Sequence, residues 1–344
     1  MKTERDHLFL DFRADLHAGI LTFYKTHPRK FALAAVLFLS VARALAGEKI
    51  PLVYAVPAAV PAALPLVAAD RGFFREEGLD VRVAMFSSGR EALQALLAGQ
   101  AQIQSVSETP VVHAIVQGNA VVVVATVARH QEAKLILRSD RGILKPEDLR
   151  GKRIATLPGT NSDYFMYKFL AAHGMTPGDL KVANMSPPEM VAAYADGDID
   201  GYFAWEPHIQ FGLAAMPQSR VFYPGALYRG WMTVNMNPAY ARAHPDTVRR
   251  IVRALIKAEA FIKAHKSQSL RIVARRLRMD DDVLRMVWDQ NQYRVELDAS
   301  LVDEMTEIGR WSLKLSKSDK PLPNFRQFIY AEPLRRERPK SVSL

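Results

Sequence analysis

From residue 50 to about residue 215 the apolar positions switch repeatedly between strand-like and helix-like spacing. Residues 50–56 (IPLVYAV) are β-branched and aromatic and predict a strand. A Pro/Ala loop runs from Pro57 to Pro65, and helical character over 65–75 ends near Gly78. Residues 79–86 (LDVRVAMF) alternate apolar and polar, the period of a half-buried strand. Ser87-Ser88-Gly89 marks a turn. Residues 90–98 predict an amphipathic helix stopped by Gly99, 101–106 a short strand, and 109–117 a helix with Gly118 as its C-cap. The uninterrupted run 120–127 (AVVVVATV) predicts a strand buried on both faces.

The same grammar recurs further along. Strands are predicted over 153–157, 180–184 and 201–204, with helices over 162–173, 189–195 and 207–215. Strands alternating with short helices predict an α/β fold with mainly parallel sheets. From Pro238 the pattern becomes helical, with periodic stretches at 246–266, 268–278, 281–290 and 298–315, and the Pro-rich, charged tail from Ser316 is expected to wrap the surface. Two α/β lobes of about 90 residues plus a helical part imply a cleft between lobes. Ligands of open α/β sheets bind beyond the carboxyl ends of strands, which selects the loops at 57–60, 87–90, 107–109, 126–130, 159–163 and 205–207.

Before that region, residues 31–42 (FALAAVLFLSVA) form one apolar run preceded by Lys25, Arg29 and Lys30 and followed by Ala44-Leu45-Ala46. A basic flank, a short apolar run and a small-residue site make a secretory signal peptide, so residues 1–46 are expected to direct export and the exported part to start near Gly47. The run is short for a membrane span, and an uncleaved signal anchor is the competing reading. No cysteine follows it, so a lipoprotein anchor is excluded.

Composition narrows the classes. The 344 residues allow about two domains. With 49% hydrophobic and 24% charged residues the chain is ordinary globular material, not a disordered chain or a polytopic membrane protein. The absence of cysteine excludes disulfides, thiolate metal sites and a Cys nucleophile. The net charge of +10 is spread out, with a dense basic run only around Arg335, Arg336 and Arg338. No basic stripe interleaves with aromatics, so nucleic acid is not an expected partner.

The selected loops carry the candidate chemistry. At Gly159-Thr160-Asn161-Ser162-Asp163 a strand turns into a helix; Thr160, Asn161 and Ser162 either simply cap the helix or, with its free N–H groups, face an anion. Ser87, Ser88, Gly89 and Arg90 repeat the construction: two hydroxyls, a Gly and a guanidinium suit a sulfonate or carboxylate, unless Arg90 is solvated or paired with Glu91 or Glu108. Trp205 and Glu206 before Pro207 present an indole face and a carboxylate, fit for a cationic or amine-bearing group, or else a core Trp with a Glu that holds backbone amides. Pro57, Ser107, Glu108, Thr109 and Arg129 complete the candidate set, and Tyr54 is a weaker member of it. G-x-S-x-G, P-loop and H-E-x-x-H signatures are missing, and the nine His residues are scattered, so neither a catalytic residue nor a metal site is predicted.

Ordered short motifs give a resemblance. They are Asp70-Arg71-Gly72-Phe73-Phe74 with Glu77-Gly78-Leu79-Asp80-Val81, residues 92–99 (ALQALLAG), residues 149–155 (LRGKRIA), and Gly197-Asp198-Ile199-Asp200-Gly201 followed by Trp205-Glu206-Pro207. Over about residues 50–330 the chain resembles the solute-binding proteins of ABC importers in the nitrate/sulfonate/taurine group, which includes thiamine-precursor binders. The resemblance implies a type II periplasmic-binding-protein fold: lobe 1 from 50–137 plus 233–330, lobe 2 from 138–232, a hinge between them, and a tail at 331–344. It implies a periplasmic receptor that closes on a small organic anion or zwitterion, such as a sulfonate or taurine, and docks on a membrane permease served by an ATPase. No cofactor is implied, and a monomer is expected. Two departures stand out: Gln102 and Gln104 occupy positions where the family commonly has an acid and a small residue, and Glu108 is an acid many members lack. An acid near the cleft disfavours a plain inorganic anion and favours a zwitterion or an uncharged heterocycle. An enzyme on the same fold, acting on a small heterocycle or acid, and a membrane-anchored sensory domain are the alternatives.

Overall fold

The computed structural model describes residues 49–344, so the expected export signal at 1–46 lies outside the described residues. In chain order the strands are β1 (Ile50–Pro57), β2 (Leu79–Phe86), β3 (Ile103–Ser107), β4 (Val122–His130), β5 (Lys134–Leu137), β6 (Arg153–Thr156), β7 (Lys181–Asn184), β8 (Gly201–Ala204), β9 (Arg220–Phe222), β10 (Gly230–Met236), β11 (Asn291–Asp298) and β12 (Val342–Ser343). The α-helices are α1 (Ala63–Asp70), α2 (Phe73–Glu76), α3 (Gly89–Leu97), α4 (Glu108–Val116), α5 (Asn161–Ala172), α6 (Pro187–Asp196) and α7 (His208–Ala215), then α8 (Pro238–Ala243), α9 (Pro245–Ala264), α10 (Lys266–Leu277), α11 (Asp281–Trp288), α12 (Ala299–Leu315) and α13 (Glu332–Glu337).

The strands form two sheets, one in the order β12-β11-β4-β10-β3-β1-β2 and one in the order β7-β6-β8-β5-β9. Strands β1, β2 and β3 run parallel, as do β6, β7 and β8. In each set a strand's carboxyl end leads into a helix start. Strands β4 and β9 run in the same direction as these sets, and β10, β11 and β12 in the first sheet and β5 in the second run against them, so both sheets are mixed rather than mainly parallel. Strand β10 then lies antiparallel between β3 and β4, and β5 antiparallel between β8 and β9.

The long apolar segments became elements where their periodicity pointed. The helical character at 65–75 is cut into α1 and α2 by Gly72, whose φ of 78° is a left-handed conformation that glycine adopts without penalty. Strand β4 is buried along its whole length apart from Arg129, as expected of a central strand. Helices α3, α9, α10, α11 and α12 each bury one face and expose the other.

Four strands longer than two residues went unassigned by pattern. Strand β10 (GWMTVNM) is buried at every position, with Thr233 and Asn235 inside it. Both make bonds within the sheet: Thr233 donates to the Val106 carbonyl and the Asn235 amide donates to Gln104 Oε1 at 2.9 Å, while Asn235 Oδ1 and Gln104 Nε2 are buried without a partner. This accounts for one of the unusual glutamines, and the other, Gln102, accepts from the Val53 N–H. Strand β11 does alternate, but it sits between two strongly helical stretches. Strands β5 and β9 are only four and three residues long. The tail does more than wrap the surface: Leu334 of α13 is fully buried, Arg249 and Arg253 of α9 pair with Glu337, and β12 joins β11.

Gly201, at the start of β8, has no room for a side chain. A Cβ there would lie 2.4 Å from Leu137 Cδ2 and 2.5 Å from the Ile136 carbonyl oxygen, which belongs to the paired strand and has no space to withdraw. Gly201→Ala is expected to destabilise the protein by about 1–3 kcal/mol, read as a lower urea midpoint with an unchanged slope.

Candidate functional site

The strands β1, β3, β6 and β8 end their parallel runs around one small cavity between the two sheets. Pro57 and Ala59 line it from beyond β1, Val106 and Ser107 from β3, Gly89 and Arg90 from α3, and Pro110 from α4. Thr160 and Asn161 reach it from the start of α5, Trp205 from the end of β8, and Met232 from β10. Glu132 lies on the segment that crosses from β4 to β5. The enclosed space is about 10 Å3, room for about one water molecule. A wider cleft of about 370 Å3 adjoins it; Arg90 and Pro110 line both, so Arg90 stands between the two spaces.

Local sequence explains how these groups are held. Ser88 caps α3 by accepting from the Glu91 N–H, which sets Gly89 and Arg90 at the first turn. Gly89 is packed so closely that a Cβ would lie 2.1 Å from Val106 Cγ2, which is why α3 can approach β3 here. At α5 the Thr160 hydroxyl donates back to the Leu157 carbonyl and Asp163 accepts from the Gly159 N–H, so Asn161 and Ser162 open the helix with N–H groups turned outward. Burial raises the Asp163 carboxyl to about 6.

Glu132 is the residue the pattern reading missed. The expected loop stopped at His130, but β4 itself runs to His130 and the crossing begins only afterwards. Glu132 is 6% exposed. Its Oε1 accepts from the Asn161 amide at 3.2 Å and the Ser107 hydroxyl at 3.4 Å, while its Oε2 is buried with no partner. Burial pushes this carboxyl up to about 8, against the donors Asn161 and Ser107 and the nearby Lys134 charge. Trp205 Nε1 and Ser162 Oγ are also buried without a partner. His130 joins Ser107 at 3.2 Å through Nε2, but its Nδ1 stands 3.8 Å from Glu132 Oε1. That is too long for a hydrogen bond, so serine, histidine and carboxylate are neighbours without forming a relay. Burial holds the ring neutral, down to about 3.

The other expected site residues are engaged elsewhere. Glu108 is fully buried, with Oε1 accepting from the Tyr228 hydroxyl at 2.6 Å and Oε2 from the Trp231 N–H at 2.8 Å; burial raises it to about 7. It ties the returning crossing to α4 and does not line the cavity. Thr109 is buried beside it and directs its hydroxyl to Glu108. Glu206 makes a buried ion pair with Lys134 at 2.6 Å and accepts from the Gln210 N–H. Arg129 turns to the far edge of the sheet, where it pairs with Asp298 and lies over the Trp231 ring. Ser88 and Ser162 stand one residue behind the lining, and Tyr54 is a core side chain bonded to Ser105. The residues from the two sheets that meet are therefore Ser107, Gly89, Arg90 and Pro57 on one side and Thr160, Asn161 and Trp205 on the other.

Few contacts hold the two sides together at this point. The Arg90 guanidinium donates to the Pro158 carbonyl at 3.3 Å, and Asn161 reaches Glu132. Beyond them, Tyr164 and Tyr167 of α5 pack against Trp311 of α12 at 5.1 and 5.9 Å, and Tyr164 meets Tyr228 edge-on at 5.5 Å. Among the described residues no cluster of His, Asp and Glu could hold a metal ion, and no helix is long and apolar enough to cross a membrane.

Comparison with known proteins bears on this arrangement. A family model described as NMT1/THI5 like matches residues 62–269. The taurine-binding periplasmic protein of Escherichia coli is 30% identical over 197 residues, 56% of this chain; the chain spans only 60% of that relative's length. The periplasmic aliphatic sulphonate binding protein of Escherichia coli superposes with a TM-score of 0.70 at 18% identity, covering 82% of this chain and 97% of that one. A desulfurization enzyme superposes with a TM-score of 0.61 at 17% identity, over 84% of this chain and 100% of that one. At such identities the superpositions establish the fold: this chain has the periplasmic-binding-protein fold that the resemblance implied.

Two predictions follow from the buried charges. Glu206→Gln leaves the Lys134 ammonium buried without its counter-ion and is expected to cost about 3–5 kcal/mol in urea unfolding, most of it regained by combining Lys134→Met with Glu206→Leu. The second concerns pH. Glu108, Glu132 and Asp163 have folded values raised above the unfolded ones, so they keep protons that the unfolded chain releases, and their contribution to stability is lost as pH rises through about 6 to 8. His113, His130 and His208 are lowered by burial to about 4, 3 and 4, so their contribution is lost as pH falls below the unfolded value. Above about pH 6.5, the unfolded histidine value, only the carboxyls of this set still titrate. The melting temperature should therefore decline from about pH 6.5 to about pH 8.5, and Glu132→Gln should flatten that decline.

Proposed function

The chain belongs to the NMT1/THI5-like family, and from that premise we propose that it is an exported, periplasmic solute-binding receptor. It captures a small organic anion or zwitterion between two lobes and delivers it to the permease and ATPase of an ABC importer. The observation that carries this reading is the cavity where carboxyl-terminal strand ends of both sheets converge, lined by hydrogen-bond donors from each side. The Ser107 hydroxyl and Arg90 come from one side, and the Asn161 amide, the α5 N-terminus and the Trp205 indole N–H from the other. Donors and a helix N-terminus favour an acidic group such as a sulfonate or carboxylate.

The lobes of this reading are the bodies around the two sheets, and the hinge is the pair of crossings between β4 and β5 and between β9 and β10. Support for that division comes from pairing: the strands from Lys134 to Phe222 pair only among themselves. A ligand closes such a hinge only if it touches both lobes, because otherwise it has equal affinity for open and closed forms. In this reading the one-water cavity is that of a closed form without ligand, and the Arg90 contact with Pro158 must break and the cavity widen to admit an organic acid. A binder is favoured over an enzyme because Ser107, His130 and Glu132 form no relay and the chain has no cysteine. The receptor acts as a monomer in this reading.

Titration calorimetry of the protein with sulfonates, carboxylates and nitrate tests it. One site with saturable binding of an organic acid is expected. Arg90→Ala and Trp205→Ala should each weaken it by about tenfold or more, roughly 1.4 kcal/mol or greater. No binding across all three classes would sink the proposal, and unchanged affinity in both variants would sink this placement of the site.

A further inference from the structure

We propose that α5 and α12 form a pH-sensitive latch that holds the two lobes together, with Glu304 of α12 as the group whose ionisation releases it. The inference goes beyond the receptor reading and rests only on its hinge, because the latch needs no ligand.

The latch is built at helical spacing on both sides. Tyr164, Tyr167 and Lys168 share one face of α5, which belongs to the lobe of the second sheet. Glu304, Glu307 and Trp311 share one face of α12, which belongs to the lobe of the first. The aromatic part is in direct contact, with the Trp311 ring 5.1 Å from Tyr164 and 5.9 Å from Tyr167. Trp311 is backed by its own lobe: His113 of α4 packs on it at 5.0 Å and shares a 2.6 Å hydrogen bond with Ser312. Burial holds His113 neutral, down to about 4, so it takes no part above that pH.

Glu304 supplies the sensitivity. It lies two turns before Trp311, and its Oε1 is buried with no partner. Glu108 and Glu206 show the contrast, since each has a protein donor on both oxygens. The partners of Glu108 are Tyr228 and Trp231, neither of them on α5, so moving α5 leaves that carboxyl paired. The groups that bear on Glu304 from the other lobe, Tyr164 and Lys168, are both on α5. A buried carboxylate oxygen without a donor is costly, and the group escapes that cost by keeping its proton or by reaching water. Separation of α5 from α12 gives it water.

The groups that face Glu304 are Tyr164 and Lys168 on α5, Glu108 on α4, Tyr228 on the returning crossing and Glu307 on its own helix. Burial raises the Glu304 carboxyl above its ordinary value; Lys168 and the Tyr164 hydroxyl oppose the rise and Glu307 adds to it. The closed arrangement therefore keeps a proton that the open one gives up. The latch is at full strength at acid pH, below the ordinary carboxyl value, and is lost as pH rises through the raised one. Each unit by which closure raises the group is a tenfold change in the closed-to-open ratio. Glu132, which accepts from Asn161 of α5, works in the same direction at higher pH, so the test compares variants.

The experiment reads the distance between lobes in the full protein without ligand. Gln100 and Asn184 are exposed and line the same groove of about 680 Å3 at the cleft mouth, one from each lobe. The chain has no cysteine, so Gln100→Cys with Asn184→Cys takes two spin labels and no others. From about pH 5 to about pH 8.5 the wild-type pair should lose its short distance in favour of a longer one. Glu304→Gln cannot ionise and should keep more of the short distance at the upper end, while its short distance at the acid end reports that it is folded. Tyr167→Ala removes a half-buried ring and leaves Glu304 in place; it should shift the population to the longer distance at every pH. A pH profile of Glu304→Gln that superimposes on the wild type overturns the role of Glu304. A distance distribution unchanged by Tyr167→Ala overturns the latch and leaves the hinge standing. One fixed distance in all three proteins at every pH overturns the hinge of the receptor reading as well.

Discussion

The buried ion pair between Lys134 and Glu206 is the joint on which the site depends. Lys134 is the first residue of β5, immediately after the chain crosses to the second sheet, and Glu206 follows Trp205 at the end of β8. Both side chains are almost wholly out of water, so neither charge is tolerable alone. Their pairing ties the crossing to the loop that presents Trp205. The returning crossing is tied by a second glutamate, since Glu108 receives the Tyr228 hydroxyl and the Trp231 N–H. Each crossing thus has a carboxylate whose partners are internal, and each lies a few residues from a group that lines the cavity.

With those joints in place, the two sides meet through groups able to exchange partners. Arg90 holds a carbonyl it has no structural need to hold, and Asn161 shares a carboxylate oxygen with Ser107. Contacts of this kind are individually worth about 1 kcal/mol or so, within reach of a ligand that replaces them. The aromatic cluster of Tyr164, Tyr167, Tyr228 and Trp311 supplies an apolar contact between the sides away from the cavity. The hinged receptor proposed above would need this division: firm anchoring at the crossings and exchangeable contacts at the mouth.

Much of this was legible residue by residue. The strand-to-helix turns at Ser88-Gly89-Arg90 and Thr160-Asn161-Ser162 were readable because turn and cap chemistry is local. The rule that ligands sit beyond strand ends pointed to the loops of Pro57, Ser107 and Trp205, and the structure brings these three residues to one cavity. Glu108, Arg129 and Glu206 looked equally suitable at the same strand ends. Each was withdrawn from the cavity by a partner distant in sequence: Tyr228, Asp298 and Lys134. Glu132 was passed over for the opposite reason, since a lone acid two residues beyond a strand carries no motif.

By itself, then, the sequence determined the alternation of elements, the absence of thiol chemistry and the loops in which a site would form, because periodicity, composition and capping act over a few residues. The topology was decided by tertiary structure. Strand β10 has no pattern of its own, and it becomes a central strand between β3 and β4, where the Thr233 hydroxyl and the Asn235 amide donate to Val106 and Gln104 of the sheet. Tertiary structure also decided which carboxylates are spent and which is free. A carboxyl is defined by its donors, and those of Glu108, Glu132 and Glu206 come from up to 123 residues away along the chain.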